Sequence, residues 1–419
     1  MGWRMILAEA LESMRFYRRR TATTVVSLGW GVASFLILMS YGDGFDRNLR
    51  AAFTAVGQDL VLTFNGQTSL QAGGLRSGRP IKLVETDVAA IREAVPAVGA
   101  ISPEMIRGRM VVVRGTREKR YQLRGVRAEY QRIRNMQLID GRWINEDDTQ
   151  QRNRVAVLGA TVARELFSGI PPVNEEITIG GVRFTVIGVL DTKLQIANYS
   201  RRDNECIFVP YDTVSVFTDT HYPEILVWTP RAPGMRESAI RGVRATLAQL
   251  HGFSPHDEKA VEILAFSQFM YIIDGMSLAL KMLLAFVGAL TLGIGGVGLA
   301  NIMLASVVER TREIGVQKAL GSRRSTVLKQ FLVEALLIVG AGGALGLAAG
   351  FALTYAIGSM PLWGAIFTDA ADKGNVELRI RASSVLVSTG VLLAVGLIAG
   401  MVPAIRAARM DPVEALHYE

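Results

Sequence analysis

Gly293-Ile-Gly295-Gly-Val-Gly298 is a literal G-x-G-x-x-G. Between a strand and a helix, such glycines let the backbone approach a dinucleotide pyrophosphate, and an acidic residue about 20 positions on holds the ribose. Glu313 meets that spacing from Gly293. The setting does not meet it. Met282 to Leu290 continues one uncharged run with the glycines inside it, so a pyrophosphate would lie in hydrocarbon. Glycine in such a run serves close helix approach, because helices in lipid associate through backbone proximity and van der Waals contact. The candidate packing positions are Gly293 and Gly296 here, Gly342, Gly346 and Gly350 at four-residue spacing, and Gly396 and Gly400 near the C-terminus. Tight helix packing, extending to dimerisation, is expected of them.

Other candidate chemistry is sparse. His221, His251, His256 and His417 are scattered, with no metal-ligand spacing. The single Cys206 excludes an intramolecular disulfide and reads as a partly buried small residue. Neither G-x-S-x-G nor G-x-x-x-x-G-K-[ST] occurs. Glu146-Asp147-Asp148, after Trp143, reads as a solvated turn rather than a catalytic carboxylate pair. The segment Arg107 to Arg134 carries ten basic residues interleaved with Tyr121 and Tyr130. It reads as a solvated strand face, with an acidic ligand as the alternative. No catalytic residue and no metal site is assigned.

These residues are positioned by a membrane chain. A bilayer core of about 30 Å takes about 20 apolar residues as helix. Thr21–Gly42, Met282–Val308, Ala335–Thr368 and Ala382–Ile405 carry no charge, and mean hydropathy is +0.27. The first run is longer than the roughly 7 to 15 apolar residues of a signal peptide and reads as a retained anchor. Residues 1–20 hold five basic and two acidic side chains, Glu309–Lys329 six and two, and Asp43–Asp274 a near-neutral 29 and 27. That bias puts both termini in the cytoplasm. The net +8 is therefore membrane orientation, not nucleic-acid affinity.

The expected fold is an α-helical membrane protein of four transmembrane helices with a large α+β extracytoplasmic domain inserted between helices one and two. Residues 1–20 form a cytoplasmic amphipathic helix, with Trp3, Ile6, Leu7, Ala10, Leu11 and Met14 at helical spacing and Arg18–Arg20 at lipid headgroups. Spans are expected at 21–42, 282–305, 331–359 and 383–405. The outer domain takes 43–274, a coupling loop 306–330, a short outer loop 360–382 and a cytoplasmic tail 406–419. Within the outer domain, DLVLTFNG, RMVVVRG, KRYQLRGV, RVAVLGA, VRFTVIGVL and CIFVPY read as strands. LVETDVAAIREAV, ATVARELF and MRESAIRGVRATLAQLHG read as helices. Two subdomains are expected, one interrupting the other, with residues 67–80 as a flexible loop.

The loop ASVVERTREIGVQKALGSRRSTVLKQFLVEA reads as a helix, a break at Gly321, and Ser322 as N-cap of a helix entering the third span. Glu309, Arg310, Arg312 and Glu313 give it a charged face; Ile314, Val316, Ala319 and Leu320 give apolar contact. It is either a docking helix or a solvated connector.

Glu309-Arg-Thr-Arg-Glu-Ile-Gly315, Lys318-Ala-Leu-Gly321 and Gln330-Phe-Leu-Val-Glu334 resemble the core run of the FtsX/MacB family of ABC-transporter permeases. PAIRAARMDPVEAL at 403–416 resembles its ending, and VAVLG and ITIGGVRFTVIGVL resemble the MacB-type outer domain. The resemblance implies a non-catalytic subunit that dimerises with itself or a paralogous permease. It implies that Glu309, Arg310, Arg312, Glu313, Ile314, Gly315, Lys318 and Gly321 grip separate ABC ATPase subunits, which bind ATP and Mg. It implies mechanotransmission to a periplasmic domain, in the inner membrane, for efflux with a periplasmic adaptor and an outer-membrane channel. The alternatives are an FtsX-like regulator of a cell-wall hydrolase and a LolC/LolE-like lipoprotein-releasing subunit. An enzyme acting through the outer domain lacks residues to do so. The chain begins 20 residues before its first span, so the ATPase is expected on another chain.

Overall fold

The structure is a computed structural model describing Ala10, Glu12 and residues 14–57, 59–196, 198–362 and 373–416. Trp3, Ile6, Leu7, Leu11 and His417 lie outside the described residues; Ala10 and Met14 are helical. The chain divides into two units, one of residues 1–48, 275–362 and 375–419, the other of 49–274 and 363–374.

The first unit is built on four helices long and apolar enough to cross a membrane: α1 (Arg18–Thr54), α7 (Ser267–Glu309), α9 (Arg324–Ile357) and α10 (Ala382–Arg409). At 1.5 Å per residue, α1 runs ~55 Å and α7 ~65 Å, well past the ~30 Å of hydrocarbon. Neither breaks at the end of its apolar run: α1 continues beyond Gly42 to Thr54, and α7 starts before Met282. The third helix ends at Ile357, before the expected 359. Ser359–Pro361 (β12) then pairs with Asn375–Glu377 (β13) as a small hairpin.

Glycine decides how these helices pack. Leu28, Val32 and Leu36 of α1 lie on Gly342, Gly346 and Gly350 of α9. A methyl carbon at Gly346 would stand 2.5 Å from Val32 Cβ and 2.6 Å from the Gly29 carbonyl oxygen. One at Gly396 would meet Val339 at 2.5 Å, at Gly400 Ala335 at 2.7 Å, and at Gly296 Val395 at 2.3 Å. Gly293 has nothing within 4 Å. The four-residue ridge on α9 is thus filled by α1 of the same chain, which leaves it no room for a second copy. The G-x-G-x-x-G lies wholly within α7, with no strand or turn beside it.

The second unit is one mixed 11-stranded sheet. Its strands are β1 (Val61–Gln67), β2 (Pro80–Ile81), β3 (Val98–Arg114), β4 (Arg117–Val126), β5 (Leu138–Gly141), β6 (Val155–Leu158), β7 (Glu176–Ile179), β8 (Val182–Leu190), β9 (Cys206–Pro210), β10 (Ile225–Pro230) and β11 (Val261–Ala265). The main path runs β11-β1-β10-β3-β4-β9-β6-β8-β5. Helices α2 (Asp87–Ala94), α3 (Tyr130–Ile133), α4 (Glu146–Gln150), α5 (Ala160–Phe167) and α6 (Arg236–His251) pack on it. The expected interruption is visible in the cores. One buries Val61, Ile101, Trp228 and Val261; the other, from 105–214, buries Leu123, Leu158, Phe184 and Ile207. They share one strand: β3 gives Val98 and Ile101 to the first and Met105 and Val112 to the second. Gly180 and Gly181, at φ 54° and 88°, make the tight β7–β8 turn that L side chains adopt poorly.

Candidate functional site

The family-like run forms α8 (Thr311–Ala319), set off from α7 by Arg310, whose φ of −99° and ψ of 14° leave the helical basin. Its inward side is Thr311, Ile314 and Gly315, all buried. Its outward side is Arg312, Glu313, Val316, Ala319 and Leu320, with Leu320 84% exposed. The sequence-derived residues therefore divide: Ile314 and Gly315 seat the helix, while Arg312 and Glu313 are exposed.

Polar contacts tie α8 and its ends to every span. Arg310 Nε donates to Glu313 Oε2 at 3.1 Å, and Arg310 Nη1 stands 3.4 Å from Glu334 Oε2 on α9. The same guanidinium lies 5.6 Å from the centre of the Phe331 ring. Arg20 of α1 reaches Glu309 at 2.6 Å. Lys318 Nζ donates to the Ala408 carbonyl at 3.0 Å and to that of Met410, at the end of α10. The short helix α11 (Pro412–Leu416) packs on α8. Sequence reasoning missed Arg20, because nothing local marks a partner 289 residues away.

Ser322 is not the N-cap of α9; Arg323 holds that position, in extended backbone. Ser322 instead closes α8. Its N–H donates to the Gln317 carbonyl at 3.0 Å and that of Gly321 to Lys318 at 3.0 Å, with Gly321 at φ 92°. This Schellman closure needs the left-handed residue that Gly321 supplies.

In the second unit the basic segment is partly internal. Arg124 and Arg134 are buried, and their guanidinium groups contact Asp203 at 3.1 and 2.8 Å. Glu104 lies 3.4 Å from Arg124, and Lys193 Nζ 3.1 Å from Asp203. Tyr130 and Tyr199 donate to Glu104 at 2.9 and 2.5 Å. Burial alone would raise the Asp203 carboxyl, but Arg134, Lys193 and Arg124 outweigh it and hold it well below the usual carboxylate range. Burial pushes Lys193 down to about 8, against the pull of Asp203. The solvated-face reading is thus corrected for Arg124 and Arg134. The turn reading is corrected for Asp148, which is buried, caps α4 with Asn145 and pairs with Arg142 at 2.5 Å. Cys206 is fully buried, and burial pushes its thiol up to about 12. His251 pairs with Asp87 at 2.9 Å. Among the described residues no group of His, Cys, Asp and Glu is placed to hold a metal.

Comparison with known proteins adds the family. Residues 21–241 match the MacB-like periplasmic core domain, and 285–412 the FtsX-like permease C-terminal domain. The macrolide export ATP-binding/permease protein MacB of Bdellovibrio bacteriovorus is 29% identical over 99% of this chain and 61% of its own. The pyoverdine export ATP-binding/permease protein PvdT of Pseudomonas aeruginosa is 30% identical over 99% of this chain and 59% of its own. The chain thus spans about three fifths of the length of these relatives. The crystal structure of the periplasmic region of MacB from Actinobacillus actinomycetemcomitans is 21% identical, with a TM-score of 0.42 over 52% of this chain and 94% of that one. With the first family model alone covering more than half its residues, this chain belongs to the FtsX/MacB family of ABC-transporter permeases.

Proposed function

We propose that this permease couples ATP binding and hydrolysis, by an ATP-binding cassette outside the residues of this sequence, to movement of the inserted domain, and that the movement drives export. One observation carries the reading: α8 and the two residues before it are held to the spans through Glu309, Arg310 and Lys318, while Arg312, Glu313, Val316 and Leu320 are exposed. A docked partner would push on one short helix and displace every span through Arg310, Lys318 and Glu309. Helices α1 and α7 run unbroken from that end past the apolar runs, and so suit the transmission of a displacement along the chain.

In this reading ATP and Mg are held by the cassette, the termini lie in the cytoplasm, and the inserted domain lies in the periplasm. A second permease copy or paralogue completes the membrane unit, and an adaptor with an outer-membrane channel receives the cargo. Export is favoured over hydrolase control and lipoprotein release because the relatives named above are exporters. Cysteine introduced at Val316 tests the docking face. Bifunctional cross-linking should join it to an ABC ATPase in intact membranes, and ATP with vanadate should change the yield. A cross-link to lipid-facing neighbours alone would contradict the reading.

A further inference from the structure

Among the basic residues of segment 107–134 that the buried network does not use, Arg109 and Arg120 line one cavity. Arg109 and Arg120 are exposed, and among the described residues neither has an ion pair or a side-chain hydrogen bond. In the β3–β4 ladder Arg109 faces Gln122 and Val111 faces Arg120, so Arg109, Gln122 and Arg120 share one face of the hairpin. Diagonal neighbours on such a face are about 7–8 Å apart, within reach of long side chains, and like charges there repel.

Both arginines open on a cavity of about 270 Å³, walled otherwise by α5 and by the turn carrying Arg201 and Glu205. The acids in these walls already have partners. Glu165 accepts from the Tyr121 hydroxyl at 2.6 Å and pairs with Lys119 at 3.1 Å; Glu205 pairs with Arg201 at 3.2 Å. Gln122 Oε1 accepts from Ser200 Oγ at 2.9 Å and from the Arg201 N–H at 3.3 Å, which leaves its Nε2 as a free donor. Two guanidinium groups and an amide donor therefore line a pocket whose carboxylates are already paired. Planar forks of this kind fit carboxylate and phosphate oxygens in pairs.

We propose that this cavity binds a small oxyanion-bearing ligand, through a phosphate or carboxylate group held by Arg109, Arg120 and the Gln122 amide. No residue lining it belongs to the large exposed apolar side chains, so it lacks the surface that would seat an acidic peptide. The proposal stands apart from the coupling reading, since it concerns only the second unit.

The test is calorimetric titration of the full chain in nonionic detergent with inorganic phosphate and with citrate, at constant ionic strength. Saturable binding of one anion per chain is expected, weakened at least tenfold in R109Q/R120Q and unchanged in R183Q, at an arginine that is 81% exposed. Should the double variant fail to fold, Gln122→Glu keeps the side chain's size and sets a negative charge against the ligand; it should abolish binding. Competition by phosphatidylglycerol in mixed micelles would make the ligand a lipid headgroup, and its absence a soluble anion; the site stands either way. No saturable heat with either probe, or equal affinity in the variants, overturns the proposal.

Discussion

Arg310 Nη1 stands 3.4 Å from Glu334 Oε2, and this contact links the break before α8 to the first turns of α9. Glu334 is only 5% exposed. Its charge therefore depends on Arg310 and on the neighbours that satisfy it. Removing one partner of such a pair strands the other, which costs more than removing both.

Arg310→Ala should destabilise the chain by about 3 kcal/mol, and Arg310→Met with Glu334→Leu by clearly less. Thermal unfolding in detergent checks this. Equal losses in the single and double variants would mean the pair is not what holds α8.

Gly346→Leu should separate α1 from α9, because even one carbon there meets Val32 and the Gly29 carbonyl. Overpacking of this kind costs about 1–3 kcal/mol, or more when backbone is in the way. A Cβ at Gly293 has no neighbour within 4 Å, so Gly293→Ala should leave the melting temperature nearly unchanged. Identical melting of the two variants would contradict the packing described.

Asp203 and Lys193 both make stability rise with pH, in two separate windows. The Asp203 carboxyl lies below its ordinary value in the fold, so its contribution is present above the unfolded pKa of about 3.9 and lost as pH falls below it. Lys193, pushed down to about 8, binds its proton less well folded than unfolded. The unfolded state then holds more protons from about pH 8 to 10.5, and stability rises with pH across that window. Chemical denaturation at pH 8 and pH 10 should show a more favourable change with pH in the wild type than in Lys193→Met, because the Cys206 thiol, pushed up to about 12, pulls the other way in both. Asp203→Asn should lower stability by about 3–5 kcal/mol at neutral pH by leaving Arg134 and Arg124 uncompensated. A variant as stable as the wild type would remove the network from the core's account.

Much of this was legible in the sequence. Uncharged runs of about 20 residues mark membrane spans by length alone, and the four long helices fall on them. The helices ending at Phe167 and His251 follow local apolar spacing. Other features depend on distant partners. Arg124 lies on the same face of β4 as exposed Arg120 and so reads as solvent-facing, yet Tyr199 and Asp203 cover it from 75 and more residues away. Ser322 has the chemistry of an N-cap, but its N–H is taken by the preceding helix. Strands β10 and β11 went unread because their short apolar runs find meaning only beside β1 and β3. At the candidate site, residue identities were readable and the division of α8 into an inward and an outward side was not. That division is set by Lys318 meeting the end of α10.

The measurement that bears most directly on the coupling role of α8 is quantitative capture of partners by the tagged chain in mild detergent, comparing wild type with Glu313→Lys/Leu320→Glu. Both positions are exposed, so the fold and melting temperature should hold. The account predicts that an ABC ATPase is retained by the wild type and depleted at least tenfold by the variant. Equal retention of the ATPase by the two, with both chains folded, would contradict it.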